Sequence, residues 1–287
     1  MNEVNHTPDL VSHDQGTADA FASSWNNLPQ GSVYTYDQFK DWLEPITQQD
    51  VENARVLELG CGNGSLMLHM AGWRPSMIKG VDLGSSARTA AKNMEATAFS
   101  NWEVGQGDLT AFESEGFDVV YCIGVLHHLR DPKCGLDAVI RNTRGGGRFH
   151  CWVYAKEGNA VVIALVEPLR RIACKLPWWV NKYLIATPLS VPFYVYAKLV
   201  SLLHVHGMKP VQRLPLYDYC KWIATRGFQF FRHVAFDQLV SPQTTYIPQS
   251  TIEGWLKTYP QIDPASIYII MRNGNSWKFG ARLKCAS

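Results

Sequence analysis

The chain has 287 residues, of which 46% are hydrophobic, 18% charged and 12% aromatic. This composition is typical of a folded globular protein and excludes intrinsic disorder, which needs low hydrophobicity and high net charge. The 27 basic and 25 acidic residues leave a formal net charge of +2. We therefore expect no nucleic-acid partner, because phosphate binding needs a clustered basic surface.

The sequence offers no metal site and no clear membrane segment. Its seven cysteines are scattered singly, without a Cys-x-x-Cys pair, and His204 and His206 have no third ligand in view. The polar N-terminal stretch lacks the apolar core of a signal peptide, which favours a reducing, cytoplasmic location. The longest uncharged run, Tyr183 to Ala197, contains two prolines and is shorter than the roughly 20 residues that span a bilayer. We expect no membrane span.

The N-terminal region divides into a flexible tail, residues 1–20, and a lid of short helices, residues 21–50. Phe39, Trp42 and Leu43 recur at helical spacing, which predicts a short helix. We expect Phe39 and Trp42 to pack on the sheet for stability. The aromatic side chains of the lid are Trp25, Tyr34, Tyr36, Phe39 and Trp42.

Residues 51–156 alternate short apolar runs with helical patterns. This alternation predicts an α/β fold with a parallel sheet covered by helices on both faces. The predicted strands are 55–59, 77–82, 102–108, 117–122 and 148–154, and the predicted helices are 65–71, 85–96 and 132–142.

The alternation stops after residue 156. Residues 157–235 are rich in apolar stretches and are expected to form a helical insertion that covers a pocket or contacts a second copy or a membrane surface. Residues 236–287 predict a helix within 246–259 and a terminal β-hairpin, since an Asn-Gly pair joins the strand-like runs 266–271 and 277–283.

A glycine turn after the first strand carries the functional signal. Gly60, Gly62 and Gly64 stand between a strand and a helix, where glycine lets the backbone turn tightly and approach a ligand. Glu58 is an unusual carboxylate for a buried strand, and Asp82 ends the second strand, where an acid accepts hydrogen bonds from ribose hydroxyls. The spacing differs from the Gly-x-Gly-x-x-Gly of NAD-binding proteins.

The run Val56-Leu-Glu-Leu-Gly-Cys-Gly-Asn-Gly64 resembles the first signature of class I S-adenosylmethionine-dependent methyltransferases. The likeness continues through Gly80-Val-Asp-Leu83, Gly107-Asp-Leu109, residues 117–129 and the glycine turn 145–147. A looser likeness, to methyltransferases of bacterial secondary metabolism, extends into the rest of the chain. The resemblance implies a seven-stranded Rossmann-like sheet with a reversed last strand, and S-adenosylmethionine as the cofactor.

The resemblance also implies which residues contact the cofactor. The turn faces its methionine part, Asp82 its ribose, and Asp108 with Leu109 its adenine, while the end of the fourth strand lines it. The predicted cofactor-binding residues are Glu58, Gly60, Cys61, Gly62, Asn63, Gly64, Asp82, Leu83, Asp108, Leu109, Cys122, Ile123, Gly124 and His128.

Other polar side chains are candidates for catalysis or acceptor binding. His127, Glu157 and Tyr36 are the candidate catalytic residues, although a His-His-Leu run also starts a helix packed beside the cofactor in the family that this chain resembles. The candidate acceptor-binding residues are Tyr34, Tyr36, Tyr154 and Asn159. Asn159 is equally suited to cap a helix.

The predicted function is methyl transfer from S-adenosylmethionine to oxygen, nitrogen or sulfur of a small molecule, with a homodimer through the apolar insertion as one arrangement. The alternative is a reaction of the aminobutyrate arm of the same cofactor, such as cyclisation to azetidine-2-carboxylate with release of methylthioadenosine. A non-catalytic binding module and a nicotinamide-dependent dehydrogenase are weaker hypotheses.

Overall fold

A seven-stranded sheet forms the centre of the computed structural model, which describes residues 14–25, 31 and 33–285. The strands are β1 (Arg55–Leu59), β2 (Met77–Asp82), β3 (Trp102–Gln106), β4 (Phe117–Ile123), β5 (Thr143–Tyr154), β6 (Tyr268–Arg272) and β7 (Ser276–Arg282). Their order across the sheet is β3-β2-β1-β4-β5-β7-β6. The first five strands are parallel and β7 runs antiparallel to both neighbours, so the predicted Rossmann-like fold with a reversed last strand is confirmed.

Helices precede, cover and follow this sheet. They are α1 (Gln15–Trp25), α2 (Tyr36–Leu43), α3 (Gln48–Val51), α4 (Ser65–Ala71), α5 (Ser86–Glu95), α6 (Pro132–Arg141), α7 (Ala160–Ala173), α8 (Thr187–Val205), α9 (Tyr217–Ala224), α10 (Phe228–Val240) and α11 (Gln249–Lys257). Helix α6 begins as the sequence predicts, because the Asp131 side chain caps its N-terminus and Pro132 occupies the first turn.

The sheet is buried on both faces. Along β1, Leu57 and Leu59 join one core cluster and Val56 joins the other, as the alternating side chains of a strand require. Helices α6 and α11 pack on the first face, whereas α2, α4 and α5 pack on the second. Because both faces are covered, only the ends of the strands remain open to a ligand.

The N-terminal region differs from the predicted tail and lid. Residues 1–13 lie outside the described part, but α1 begins at Gln15, so residues 15–20 are helical rather than a flexible tail. Ala20 and Phe21 of this helix pack with Phe236 and Leu239 of α10. This tertiary contact explains the helix, since α1 has no acidic or basic residue placed to stabilise its ends.

The insertion also differs in its bounds. Helix α10 runs from Phe228 to Val240 and crosses the predicted boundary at residue 235. A π-helical segment, Val180–Ala186, leads directly into α8, so that residues 180–205 form one apolar helix of 26 residues. Its length and composition alone would suffice to cross a membrane. The two prolines of the uncharged run Tyr183 to Ala197 do not interrupt this helix, because Pro188 lies in the first turn of α8 and Pro192 lies within the helix.

Strand β5 starts at Thr143, five residues before the predicted start at Arg148. The sequence predicts a glycine turn at residues 145–147, and in the structure the pairing of β4 with β5 shifts in register there. Thr143 pairs with Phe117 and Arg148 with Val119, so the intervening residues bulge out of the ladder.

Gly280 tests how tightly the reversed strand packs. A methyl group at this position would overlap the carbonyl oxygen of Phe149 and the hydroxyl of Tyr268. We expect Gly280→Ala to lower the free energy of unfolding by about 2 kcal/mol, the usual cost of overpacking. The matched control is Gly254→Ala in α11, where open space surrounds the site and the better helix propensity raises stability by up to about 1 kcal/mol. Urea denaturation measures both, and equal stability of the two variants would contradict the packing described for β7.

Candidate active site

A cavity of about 440 Å³ opens at the carboxyl ends of β1, β2 and β4. The strand ends form its floor, and α1, the segment around Tyr34, α7, α8 and α10 cover it. Open α/β sheets bind their ligands at this edge, and the volume is in the range of small-molecule sites.

The glycine turn forms one wall of the cavity. Gly60 has a φ of +82°, and a side chain there would overlap Val125 at the end of β4. Glycine is therefore required at this position both by the backbone conformation and by the approach of the neighbouring loop. Gly60, Cys61, Gly62 and Asn63 line the cavity, but Gly64 does not. Gly64 instead lets α4 approach Ala90 of α5, which corrects its predicted role as a ligand contact.

Asp82 joins the turn to the loop after β2. Its Oδ2 accepts a hydrogen bond from the Gly62 N–H at 2.8 Å, and its Oδ1 accepts from the Gly84 N–H at 2.8 Å and from the Ser86 hydroxyl at 2.9 Å. Burial raises the pKa of Asp82, although these three donors act in the opposite direction. A carboxylate has about four acceptor positions, so Asp82 retains the capacity to bind a ligand hydroxyl in the cavity that it lines.

Glu58 lies beneath the turn and also lines the cavity. It is 2% exposed, and its Oε2 accepts a hydrogen bond of 2.7 Å from the hydroxyl of Tyr121 on β4. Burial raises the pKa of Glu58 to about 8; the Tyr121 hydrogen bond lowers it and the charge of Asp82 raises it. The carboxyl is therefore protonated at neutral pH in the absence of a ligand, and a bound cation would favour its ionised form.

Further polar groups lie around the same end of the cavity. The side-chain oxygen of Asn63 accepts from the Ser65 backbone and hydroxyl, but its Nδ2 is buried and has no hydrogen-bond partner among the described residues. A buried donor of this kind is costly unless a ligand or water satisfies it. Leu83, Asp108 and Leu109 line the cavity beside it.

The end of β4 contributes only part of the set that the sequence suggests. Ile123 and Gly124 line the cavity, but Cys122 does not, because its side chain packs in the core opposite Cys151. Strand alternation explains the difference, since neighbouring side chains point to opposite faces. Cys122 is thereby corrected from a cofactor contact to a core residue.

The two adjacent histidines have different surroundings. His128 lines the cavity, and its Nδ1 lies 3.0 Å from the Gln243 carbonyl oxygen, which can only accept a hydrogen bond. The hydroxyls of Ser241 and Thr244 lie 3.1 Å and 3.0 Å from the same nitrogen, and burial lowers the pKa of His128 to about 4. His127 is fully buried behind it, packs against Tyr154 with ring centroids 4.1 Å apart, and does not line the cavity. This position contradicts a catalytic role for His127.

The predicted lid residues separate into two groups. Tyr34 and Trp42 line the cavity and contact each other edge to face, with ring centroids 4.6 Å apart. Tyr36 points outwards, is 45% exposed and accepts a hydrogen bond of 2.8 Å from the Trp73 indole, so it is neither a catalytic nor an acceptor-binding residue. Phe39 is buried against Trp73. The side chain of Trp25 lies outside the described residues.

Helix α1 covers part of the cavity with residues of both the predicted tail and the predicted lid. Thr17, Ala18 and Phe21 line the cavity, and the Phe21 ring lies 4.8 Å from that of His128. The polar composition around these residues gave no signal of this contact, because it depends on packing against the distant α10.

The end of β5 and the loop after it place two of the three predicted residues in the cavity. Tyr154 and Asn159 line the cavity, although the Asn159 Nδ2 is occupied by the carbonyl oxygens of Ala155 and Asn275, each at 2.7 Å. Glu157 lies outside the cavity. Its carboxylate accepts hydrogen bonds from the Gln249 N–H and the Trp277 indole, each at 3.1 Å, so it fixes the start of α11 and is not a catalytic residue.

A histidine and an aspartate that the sequence reading missed lie in the far half of the cavity. His233 and Asp237 both line it, with 3.2 Å between Nε2 of the histidine and Oδ2 of the aspartate. They are one helical turn apart on α10, and a His-x-x-x-Asp spacing in a helix is the signal that could have identified them.

Tyr34 connects the two halves of the cavity. Burial raises the pKa of its hydroxyl, and the charges of Asp237, Tyr154 and Glu58 raise it further. Tyr34 is therefore near both Glu58, beneath the glycine turn, and Asp237 on α10. Its hydroxyl stays protonated at neutral pH.

Comparison with known proteins agrees with this geometry. The family model of a methyltransferase domain matches residues 50–162. The chain is 28% identical over 129 residues to a ubiquinone biosynthesis O-methyltransferase of Pseudomonas fluorescens, covering 44% of this chain and 54% of that protein. It is 29% identical over 184 residues to a tRNA U34 carboxymethyltransferase of Wolinella succinogenes, covering 61% of this chain and 58% of that protein.

A solved structure of an O-methyltransferase family protein from Burkholderia thailandensis has a similar fold. Its TM-score is 0.51 at 13% identity, and the match covers 87% of this chain and 55% of that one. The chain also matches an uncharacterized Synechococcus protein with 33% identity, and the match covers 31% of that protein. The chain thus spans at most 58% of the length of the curated relatives named here.

The raised pKa of Glu58 predicts a specific pH dependence of stability. Between its ordinary value of 4.5 and its folded value of about 8, the folded chain keeps a proton that the unfolded chain has lost. The free energy of unfolding therefore falls as the pH rises through this window, by up to about 1.4 kcal/mol per pH unit. We expect the stability of Glu58→Gln to exceed that of the wild type increasingly from about pH 5 to about pH 8 in urea denaturation.

The control for this pH dependence is Glu115→Gln, whose side chain is 89% exposed. Its stability should follow that of the wild type at every pH. A constant difference between Glu58→Gln and the wild type across the window would show that Glu58 is already ionised in the folded protein.

Proposed function

We propose that this chain, which belongs to the class I S-adenosylmethionine-dependent methyltransferase superfamily, transfers the methyl group of that cofactor to an apolar small molecule. The observation that carries the proposal is the single cavity shared by the glycine turn, its buried acids and the His233–Asp237 pair. A cofactor and a second reactant need such adjoining halves in order to react.

The residues at the sheet edge fit S-adenosylmethionine. Its ammonium and sulfonium groups are cationic, and Glu58 offers a buried carboxyl that ionises readily beside a cation. The unpartnered Asn63 Nδ2 supplies a donor, Asp82 has spare acceptor capacity for ribose hydroxyls, and Asp108 with Leu109 offers one polar and one apolar contact to adenine. Tyr34 and Trp42 add aromatic faces, each worth roughly 0.5–2 kcal/mol to a nearby cation.

The far half of the cavity favours an apolar acceptor. Aromatic and aliphatic side chains from α8, α9 and α10 dominate its lining. They include Leu189, Phe193, Tyr219, Trp222, Phe230 and Phe231. Charged groups are confined to a few positions, among them Arg272, whose guanidinium is already paired with Asp41 and lies over the Trp222 ring. A mostly apolar lining with a few convergent polar groups is typical of sites for hydrophobic small molecules.

His233 and Asp237 are suited to accept a proton from the acceptor. When bound, the cofactor supplies an electrophilic methyl carbon, and a hydroxyl acceptor loses its proton as it is methylated. The His233 imidazole can take that proton, and the Asp237 carboxylate lies 3.2 Å from its Nε2. The surrounding apolar side chains exclude water from the reacting groups.

The first test concerns the cofactor half. Asp82→Ala removes both the acceptor for ribose hydroxyls and the hydrogen bonds that hold the turn, so we expect at least about tenfold weaker binding of S-adenosylhomocysteine by calorimetry. Asp82→Asn, which keeps one acceptor oxygen, should retain an intermediate affinity. The control is Glu103→Ala on the adjacent strand, whose side chain is 53% exposed and pairs with Lys79. Unchanged affinity in Asp82→Ala would count against the site.

The second test concerns the reaction. We expect incubation with S-adenosylmethionine and a panel of alkyl-substituted phenols to release S-adenosylhomocysteine with methylated phenol, identified by mass spectrometry. His233→Asn should lower the rate by about 10²-fold or more without changing cofactor affinity, the usual effect of losing a general base. His204→Asn, a change of an exposed histidine outside the cavity, should not.

Product analysis also distinguishes the alternative chemistry. Release of methylthioadenosine, with or without the phenols, would show that the aminobutyrate arm reacts instead. Release of neither nucleoside, despite tight cofactor binding, would leave a binding module as the better description of the chain.

A further inference from the structure

The helical insertion exposes an extensive apolar surface. Among the described residues, all exposed large hydrophobic side chains except Tyr36, Ile270 and Met271 lie between residues 161 and 214. Isolated apolar residues on a surface need no explanation, but so many exposed apolar side chains in one segment favour an interaction site.

The exposed side chains form stripes along the helices. Along the long apolar helix they recur at helical spacing and are between 48% and 63% exposed; they are Leu184, Val191, Val195, Leu199 and Leu202. The opposite side of the same helix is buried: Ala197 and Val200 pack with Ile223 of α9 and Phe231 of α10. On α7, Leu165 and Ile172 are 69% and 64% exposed. A helix at the surface of a water-soluble protein normally shows polar residues on such a face.

The charge of this region has one sign. Residues 168–217 contain seven lysines and arginines and no aspartate or glutamate. Arg171, Lys175, Lys209 and Arg213 are exposed, and none of them has a carboxylate partner within the described part of the chain. Between the basic residues of this segment, Trp178 and Trp179 are 39% and 51% exposed. Tryptophan and basic side chains beside an apolar stripe match the boundary between lipid headgroups and acyl chains.

We infer that the helical insertion docks on the surface of an anionic lipid bilayer. The apolar stripes of α7 and α8 enter the outer part of the acyl region, Trp178 and Trp179 lie at headgroup level, and the basic side chains contact the lipid phosphates. The unbalanced positive charge is the complement of such a surface.

Two other occupants of this face fit less well. A two-fold dimer would place the basic, acid-free surface of one copy against the same surface of the other, which like charges oppose. A transmembrane position would carry the buried side of α8, together with Asp218, Lys221 and Asp237 of its packing partners α9 and α10, into the bilayer at high cost. Surface docking leaves that packing intact.

The helical insertion that carries the docking face also covers the cavity. Leu189 of α8 and Val162 and Val166 of α7 line the cavity. Leu189 is 50% exposed but lies about 160° around the helix from Val191, so it is not part of the exposed stripe. Docking does not depend on the reaction proposed above.

Vesicle flotation tests the inference with the full chain. We expect the protein to float with vesicles of phosphatidylcholine containing phosphatidylglycerol, to float much less with phosphatidylcholine alone, and to dissociate as salt is added. Arg171→Glu with Lys175→Glu should weaken binding by about fivefold or more for each basic residue lost. Val195→Ser with Leu199→Ser should weaken it at least as much, because these side chains are 60% and 51% exposed.

Matched controls test whether vesicle binding depends on this face or is nonspecific adsorption. Ile270→Ser with Met271→Ser changes exposed apolar side chains elsewhere, and Lys92→Glu with Lys257→Glu makes the same change in charge outside the insertion. Both controls should bind vesicles like the wild type. Equal losses in controls and test variants, or no flotation of the wild type, would overturn docking. So would a dimer in light scattering that Val195→Ser with Leu199→Ser dissociates, since it would assign the face to a second copy.

Affinity for S-adenosylhomocysteine, measured on the same variants, keeps the two proposals apart. The docking variants should bind it like the wild type, because none of the changed residues lines the cavity. If the wild type binds the cofactor normally but does not bind vesicles, only the docking inference is refuted. If it binds vesicles but not the cofactor, only the proposed reaction is refuted.

Discussion

One buried carboxylate determines the shape of the cavity. Asp82, at the end of β2, accepts hydrogen bonds from two loops. One comes from the Gly62 N–H in the turn after β1, and two come from the Gly84 N–H and the Ser86 hydroxyl where α5 begins. The two loops are therefore fixed relative to each other before any ligand arrives. Their geometry is possible only because Gly60 and Gly62 adopt positive φ values of 82° and 52°.

This arrangement concentrates buried acids at one end of the cavity. Glu58 lies close enough to Asp82 for their charges to interact, and burial keeps its carboxyl protonated near neutral pH. Such a pair is costly in the folded chain and becomes favourable when a cation enters. Tyr34 lies near both Glu58 and Asp237, and the groups proposed to bind a cation and to accept a proton therefore line one cavity.

The sequence predicted the sheet and the cofactor end because both depend on local patterns. The strand spacing, the three glycines and the acid at the end of β2 are encoded within short segments, and Asp82, Glu58 and Asp108 indeed line the cavity. The errors arose where a residue's position depends on distant packing. Tyr36 was assigned to the cavity, but its hydrogen bond with Trp73 holds it outside. Glu157 was also assigned to the site, but its hydrogen bonds with Gln249 and Trp277 hold it at the start of α11.

The missed residues have the same explanation. Helix α1 covers the cavity only because α10, more than 200 residues away in the chain, packs against it. His233 and Asp237 belong to that same helix, which no local motif ties to the sheet. The half of the cavity proposed to bind the acceptor is thus formed by the insertion, whose apolar composition indicates burial without showing which face is buried.

We expect the space between the glycine turn and Asp82 to hold a sulfonium nucleoside. A crystal structure of the protein soaked with S-adenosylhomocysteine tests this expectation. We expect ligand density that follows residues 60–63, with the ribose hydroxyls within hydrogen-bond distance of Asp82 and the adenine beside Asp108 and Leu109. Density at another position, or an empty cavity at saturating ligand, would contradict it.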